Sequence, residues 1–278
     1  MFALHSKGKV LDIPQPVVMG ILNATPDSFY NKGQHNNADS LLKVAAQMLK
    51  DGAAILDIGG ARTKPGQDLL GADDELLRII PVIEAIHKNF PDAWLSVDTY
   101  NARTAKEAVN AGASIVNDVS SGSFDKDMLA TVGQLDVPYI AMHMQGTPQT
   151  MQLSPEYDDV VKEVLAYLRN ICNDCEAAGI KEVIIDPGFG FGKTVAHNFA
   201  LLRSLSSFSV LGKPMLAGLS RKSMICKPLK VNPEHALNGT TALNMVALQQ
   251  GANILRVHDV KEAIEVVKLY QELKTPNP

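Results

Sequence analysis

Eight short apolar runs, each followed by a stretch of helical periodicity, limit what this chain can become. The runs are Val17–Leu22, Ala53–Ile58, Trp94–Val97, Ser114–Val116, Pro138–Met142, Val183–Ile185, Pro214–Leu219 and Asn253–Val257. They are continuous rather than alternating, as expected of parallel strands covered on both faces. Between them, Leu41, Leu42, Ala45, Met48 and Leu49 keep the i, i+3, i+4, i+7 spacing of a helix with one buried face, and Val160, Val161, Val164, Leu165 and Leu168 repeat it. A last helical stretch, Val260–Leu273, completes eight βα units. A doubly wound sheet uses the same alphabet, and the count of eight favours a single (β/α)8 TIM barrel. The 278 residues suit one such barrel, which typically needs about 250. Residues 17–278 are assigned to the barrel and residues 1–16 to a short N-terminal cap over its closed end, one domain overall.

Composition narrows the partners. The formal net charge is −4, and no polybasic run is present. Nucleic acid and anionic membrane are therefore not expected as partners, and an anionic ligand must be held by a few placed cations. No apolar stretch approaches a membrane span of about 18 residues, and Met1–Val10 lacks a signal-peptide core. The three cysteines fit a reducing compartment, so a cytoplasmic location is expected. Cys172 and Cys175 fall within a helical pattern and read as packing residues rather than a zinc site.

Barrels of this kind place their chemistry at the C-terminal ends of the strands. Polar residues break the apolar pattern there: Asn23 and Asp27, Asp57, Asp98 and Thr99, Asn117 and Asp118, His143 after Met142, Asp186, Ser220 with Arg221 and Lys222, and Arg256, His258 and Asp259. The carboxylates and the Asn117 amide suit a donor-rich heterocycle. Lys222, Arg256 and His258 suit an anionic tail. The run Pro187-Gly188-Phe189-Gly190-Phe191-Gly192-Lys193-Thr194 has proline where a P-loop needs its first glycine, and its GxGxG spacing is not a dinucleotide fingerprint. It reads instead as a shaped loop whose Phe189 and Phe191 face a planar ligand.

Taken in order, the motifs resemble one family. Met19-Gly20-Ile21-Leu22-Asn23-Ala24-Thr25-Pro26-Asp27-Ser28-Phe29, Asp57-Ile58-Gly59-Gly60, Thr63-Lys64-Pro65-Gly66, Ser96-Val97-Asp98-Thr99, Val116-Asn117-Asp118, Met142-His143-Met144-Gln145-Gly146, Asp186 to Lys193, Ser220-Arg221-Lys222-Ser223 and Arg256-Val257-His258-Asp259 are similar to the signatures of dihydropteroate synthases. The resemblance implies a folate-biosynthesis transferase that joins hydroxymethyl-dihydropterin pyrophosphate to p-aminobenzoate. Pyrophosphate leaves first and the arylamine then attacks. It implies that Asp98, Asn117, Met142, Asp186 and Lys222 bind the pterin. Asn23, Thr63, Arg256 and His258 take the pyrophosphate, with Asn23 reaching a bridging Mg2+. Thr63, Lys64, Pro65, Phe191, Ser220 and Lys222 line the p-aminobenzoate pocket. Asp98, Lys222, Arg256 and His258 act in catalysis. A homodimer and a sulfonamide target are further implications.

Three positions depart from the pattern. Ala61-Arg62-Thr63-Lys64 replaces Glu-Ser-Thr-Arg, so Lys64 keeps the charge without the planar fork. Asn31-Lys32-Gly33 replaces a more acidic stretch, and Cys226 stands where glycine is common. Two other readings stand beside the synthase: a methyltetrahydrofolate methyltransferase on a similar barrel, and a non-catalytic pterin-binding paralogue.

Overall fold

The structure, a computed structural model, describes residues 2–24, 37–60, 69–151 and 153–274. Two antiparallel strands, β1 (Phe2–Ser6) and β2 (Lys9–Ile13), form an N-terminal hairpin. Eight parallel strands follow: β3 (Val17–Asn23), β4 (Ile55–Gly59), β5 (Trp94–Asp98), β6 (Ile115–Asp118), β7 (Tyr139–Met142), β8 (Val183–Asp186), β9 (Leu216–Ala217) and β10 (Ile254–Val257). They pair in the order β8-β7-β6-β5-β4-β3-β10-β9, and a parallel bridge from Ile185 to Met215 brings β8 against the start of β9, so the sheet closes on itself. Helices follow the strands: α1 (Asn37–Lys50), α2 (Ala72–Asn89), α3 (Ala102–Ala111), α4 (Met128–Leu135), α5 (Val160–Ala177), α6 (Val195–Arg203), α7 (Ser223–Leu229), α8 (Leu237–Gln249) and α9 (Val260–Lys274). This is the (β/α)8 barrel expected from the eight runs. The seventh run is the weakest strand, pairing over two residues only.

Alternation along each strand sorts the barrel into layers, because successive side chains point to opposite faces. Met19, Ile55, Trp94, Ile115, Ile140, Ile184, Leu216 and Ile254, one from each strand, form a single apolar cluster inside the barrel. Their neighbours Val18, Leu56, Leu95, Val116, Ala141, Ile185, Ala217 and Leu255 belong to a separate cluster that packs against the helices. Two residues further along the first set come Asp57, Ser96, Asn117, Met142, Asp186 and Arg256. The interior therefore changes from apolar to polar within one side-chain layer.

The hairpin plugs the apolar end. Leu4 and Ile13 join the inner cluster and are almost fully buried. The Lys7 ammonium donates to the Val109 carbonyl. His5 donates its backbone N–H to Glu182, just before β8, and its ring contacts the same carboxylate at 2.6 Å. Cys172 and Cys175 both lie on α5, with Cys175 packed in the helix-facing core.

Leu4→Ala empties a fully packed position on the floor without touching the polar layer. It is expected to lower unfolding free energy by about 2–5 kcal/mol, the usual range for a buried Leu→Ala change. Urea denaturation checks this, and ligand binding by the folded fraction is expected to stay unchanged.

Candidate active site at the open end of the barrel

Arg256 organises the polar layer. It projects inward from β10, and its Nε donates to Asp57 Oδ2 of β4 at 2.6 Å while Nη2 donates to Asp98 Oδ2 of β5 at 2.7 Å. Asn117 of β6 donates from Nδ2 to the same Asp57 oxygen at 3.1 Å. Asp57 is fully buried, and its other oxygen has no hydrogen-bond partner among the described residues. Four strands are thus joined across the barrel by one guanidinium and one amide. Burial opposes the charge on Arg256, but Asp57 and Asp98 outweigh it and raise its pKa above the usual arginine value.

Asp98 behaves differently. Burial pushes its pKa up to about 7; Arg256 counters this, while Asp57, Glu75 and Asp118 add to it. Between pH 3.8 and about 7 the native state holds this proton more tightly than the unfolded chain does. Asp98 therefore costs stability as pH rises through that window. Asp186, at the end of β8, is also raised by burial, with Lys222 the main opposing charge. Its Oδ1 accepts from the Gly188 N–H at 2.7 Å.

Lys222 precedes α7 and leans back over the mouth. Its Nζ donates to the Phe189 carbonyl at 2.5 Å and stands 4.9 Å from the centre of the Phe191 ring. Burial lowers its pKa to about 8, partly offset by Asp186. Beside it, Met142 packs with Tyr100 and Val119, and Phe124, Met144 and Phe191 border them. This makes an apolar platform next to the polar layer, a surface suited to a flat ring.

Ser220 and His258 form a pair at the rim. The Ser220 hydroxyl accepts from the His258 backbone N–H at 3.2 Å and lies 2.9 Å from the ring Nδ1. The Ser220 hydroxyl thus engages both the backbone and the ring of His258, fixing the ring's orientation at the rim. Partial desolvation and the Arg256 and Arg221 guanidiniums together lower the His258 pKa to about 4. The residue is largely exposed, so the two cations are the firmer cause. Arg221 itself is held bidentately by Asp259, at 3.0 and 2.6 Å.

The structure thus brings Asp98, Asn117, Met142, Asp186, Phe191, Ser220, Lys222, Arg256 and His258 to one end of the barrel, where Asn23 also ends β3. Thr63, Lys64 and Pro65 lie outside the described residues, as do Ala61, Arg62 and Asn31-Lys32-Gly33. Three expectations need correction. Phe189 does not face a ligand: it is fully buried in the helix-facing core, and only its carbonyl reaches the site. Asp57 does not close its strand but sits inside β4, two residues before Gly59. Arg256 does not present a free fork, since two of its five N–H groups are already taken by carboxylates. Asp118, beside Asn117, points the other way and accepts from Ser120, Gly122 and Tyr139, so it braces a loop. Lys193, named in the sequence only within the run that fails as a P-loop, is a buried ammonium here, because its burial depends on two loops meeting.

Residues 19–258 match the family described as pterin binding enzyme. The chain is 44% identical over 270 residues to the dihydropteroate synthase of Escherichia coli strain K12, covering 96% of this chain and 95% of that one. A Yersinia pestis dihydropteroate synthase solved as a sulfonamide drug complex superposes with a TM-score of 0.93 at 42% identity, covering 99% of this chain and 100% of that one. The Xanthomonas albilineans enzyme in complex with 7,8-dihydropteroate superposes with a TM-score of 0.90 at 38% identity, with coverage of 99% and 100%. With the fold, the ordered motifs and relatives of matching length in agreement, this chain belongs to the dihydropteroate synthase family of pterin-binding enzymes.

Proposed function

We propose that this barrel condenses hydroxymethyl-dihydropterin pyrophosphate with p-aminobenzoate, giving dihydropteroate and pyrophosphate. The observation that carries the reading is the polar layer itself, where Asp57, Asp98, Asn117 and Asp186 converge with Lys222 and Arg256 beside the Met142 platform. An aminopyrimidinone edge offers adjacent N–H donors that a carboxylate accepts in pairs. Asp186 fits that role from a strand end, with Asn117 and Lys222 placed for the remaining heteroatoms and Met142 for the ring face. Neither the methyltransferase nor the non-catalytic reading is favoured, because relatives matched over nearly their whole length are synthases.

The chemistry asks for charge stabilisation rather than a covalent nucleophile. Loss of pyrophosphate leaves positive charge at the pterin methylene, and ionised Asp98, an inward carboxylate whose proton is held near neutrality, suits that charge. Neutral His258 offers its ring to the leaving group, and Arg256 retains three N–H groups beyond those bound to Asp57 and Asp98. Phe191, Ser220 and Lys222 serve the p-aminobenzoate side, and the family resemblance adds Thr63, Lys64 and Pro65, which lie outside the described residues.

Mg2+ fits this rim only together with the substrate. No group of three His, Cys, Asp or Glu side chains able to hold a metal exists among the described residues. Asn23 supplies one hard amide oxygen at the exposed end of β3, and Mg2+ commonly takes few protein ligands alongside waters and phosphate oxygens. When bound, the ion would neutralise charge developing on the departing pyrophosphate. A cytoplasmic homodimer completes the reading on family resemblance alone. No described helix is long and apolar enough to cross a membrane.

The direct test is pyrophosphate release when both substrates are mixed with the protein. Release is expected with wild type and is expected to vanish with Asp186→Ala, which should also lose pterin binding while keeping its fold. Retained pterin affinity in that variant would remove Asp186 from the site. Excess EDTA should stop turnover and added Mg2+ restore it; turnover indifferent to chelation would remove the metal from the mechanism. The pH dependence follows from opposite titrations. Asp98 gains its charge as pH rises through about 7, and Lys222 loses its charge as pH rises through about 8. A bell-shaped kcat/KM profile with its maximum between these values is expected, and Asp98→Asn should abolish the acid limb while lowering kcat.

A further inference from the structure

Lys193 lies in the loop between β8 and α6 and is only 2% exposed. A buried ammonium carries a large desolvation cost unless each proton finds an acceptor. Here the count closes. Nζ lies 2.9 Å from His143 Nδ1, 2.9 Å from the Gly188 carbonyl and 2.9 Å from the Phe191 carbonyl, with the His143 carbonyl further off at 3.3 Å. Three protons meet three close acceptors. Two of these are carbonyls of the loop after β8, and the third is the ring of the residue that follows β7.

The surroundings show what this contact fixes. Gly188 has φ +70°, and a Cβ there would stand 1.9 Å from the His143 carbonyl, so the two loops approach as closely as backbones can. Lys193 fills the space beside that approach, donating to the Phe191 carbonyl and to the Gly188 carbonyl, which also accepts from the Phe191 N–H. The segment it holds, Gly188 to Phe191, carries the two groups that position Lys222: the Phe189 carbonyl and the Phe191 ring. A second brace comes from Asn198, which accepts from the Gly190 N–H and donates to the Thr194 carbonyl. Tyr157 adds a hydroxyl donated to the Gly192 carbonyl. Among the strand-borne pterin residues, Asn117 bonds to Asp57 within the barrel and makes no contact with this segment, whereas Asp186 meets it through the Gly188 N–H alone.

We infer that Lys193 is a positioning residue for the arylamine half of the site, clamping the loop after β8 to the loop after β7 so that Phe191 and Lys222 stand where the second substrate binds. This rests on the synthase reading for which half of the mouth each group serves. The electrostatics agree with the geometry. Burial and then the Lys193 charge drive the His143 pKa down to about 3, which keeps that ring a proton acceptor. Burial lowers the Lys193 pKa to about 7, with Asp186 opposing and Lys222 adding to the effect.

Lys193→Met keeps the chain length and removes all three donors. In that variant the KM for p-aminobenzoate should rise at least about ten-fold, and pterin affinity, measured separately by calorimetry, should fall by clearly less, because Asn117 and Met142 keep their places while Asp186 and Lys222 each lose one support in the loop. The His143 ring, followed by NMR, should titrate higher than in wild type, because the neighbouring charge is gone while the burial remains. An unchanged p-aminobenzoate KM, or equal losses for both ligands, would overturn the inference. Should the variant fail to fold, Lys193→Gln, which keeps a polar end, takes its place, and an unchanged p-aminobenzoate KM there would equally overturn the inference. Wild type that binds pterin but releases no pyrophosphate would sink the synthase reading instead, leaving the ring titration to report on the clamp alone.

Discussion

A parallel barrel closed by eight strands has an interior that must be filled by every second residue of each strand, and that alternation governs everything else here. The first inward layer is wholly apolar, from Met19 around to Ile254, and the hairpin residues Leu4 and Ile13 seal it from below. The next inward layer cannot also be apolar if the barrel is to do chemistry, and in this chain it is charged. Charges so placed are costly unless paired. Arg256 resolves the cost for Asp57 and Asp98 together, and Asn117 adds a donor to Asp57. The ion pairs are therefore the condition for having a polar layer above a greasy floor, and they hold β4, β5, β6 and β10 in one arrangement.

The loops repeat this logic at the rim. Lys222 and Lys193 are both buried cations, and both are satisfied by carbonyls of one short segment, Gly188 to Phe191. Glycine is required where that segment touches its neighbour, as the Gly188 contact with the His143 carbonyl shows. A glycine-rich run followed by lysine usually suggests phosphate binding. Here the backbone carbonyls, not the N–H groups, face the cations, so the run acts as an acceptor surface. That inversion explains why Phe189 turns into the core while its carbonyl stays in the site.

Much of this was legible in the sequence, for identifiable reasons. Continuous apolar runs such as Val17–Leu22 and Val183–Ile185 announce doubly covered parallel strands, and the polar residues ending them announce the functional end. Residues on strands, such as Asn117 and Asp186, fall at the open end of the barrel because strand periodicity fixes which way they point. Pairing was not legible. Nothing local to Arg256 shows that Asp57 and Asp98, 199 and 158 residues away, will occupy its Nε and Nη2. The burial of Lys193 was hidden for the same reason: it depends on two loops meeting, which no window of sequence contains. Phe189 failed because a glycine-rich loop carries no periodicity from which to assign a face.

The charge balance of the mouth bears on how a chain of net charge −4 can accept an anionic substrate. Asp57, Asp98 and Asp186 are matched by Lys193, Lys222 and Arg256, so the resting mouth is near neutrality rather than strongly positive. An incoming diphosphate cannot rely on a broad basic field and must be met by local donors. The raised pKa of Asp98 gives the site a further means of adjustment, since taking up a proton removes one negative charge beside Arg256. In its ionised form the same carboxylate suits the positive charge that the proposed loss of pyrophosphate would leave. A residue held near the middle of its titration by burial on one side and an arginine on the other can serve both stages, whereas a carboxylate fixed in either state would serve only one.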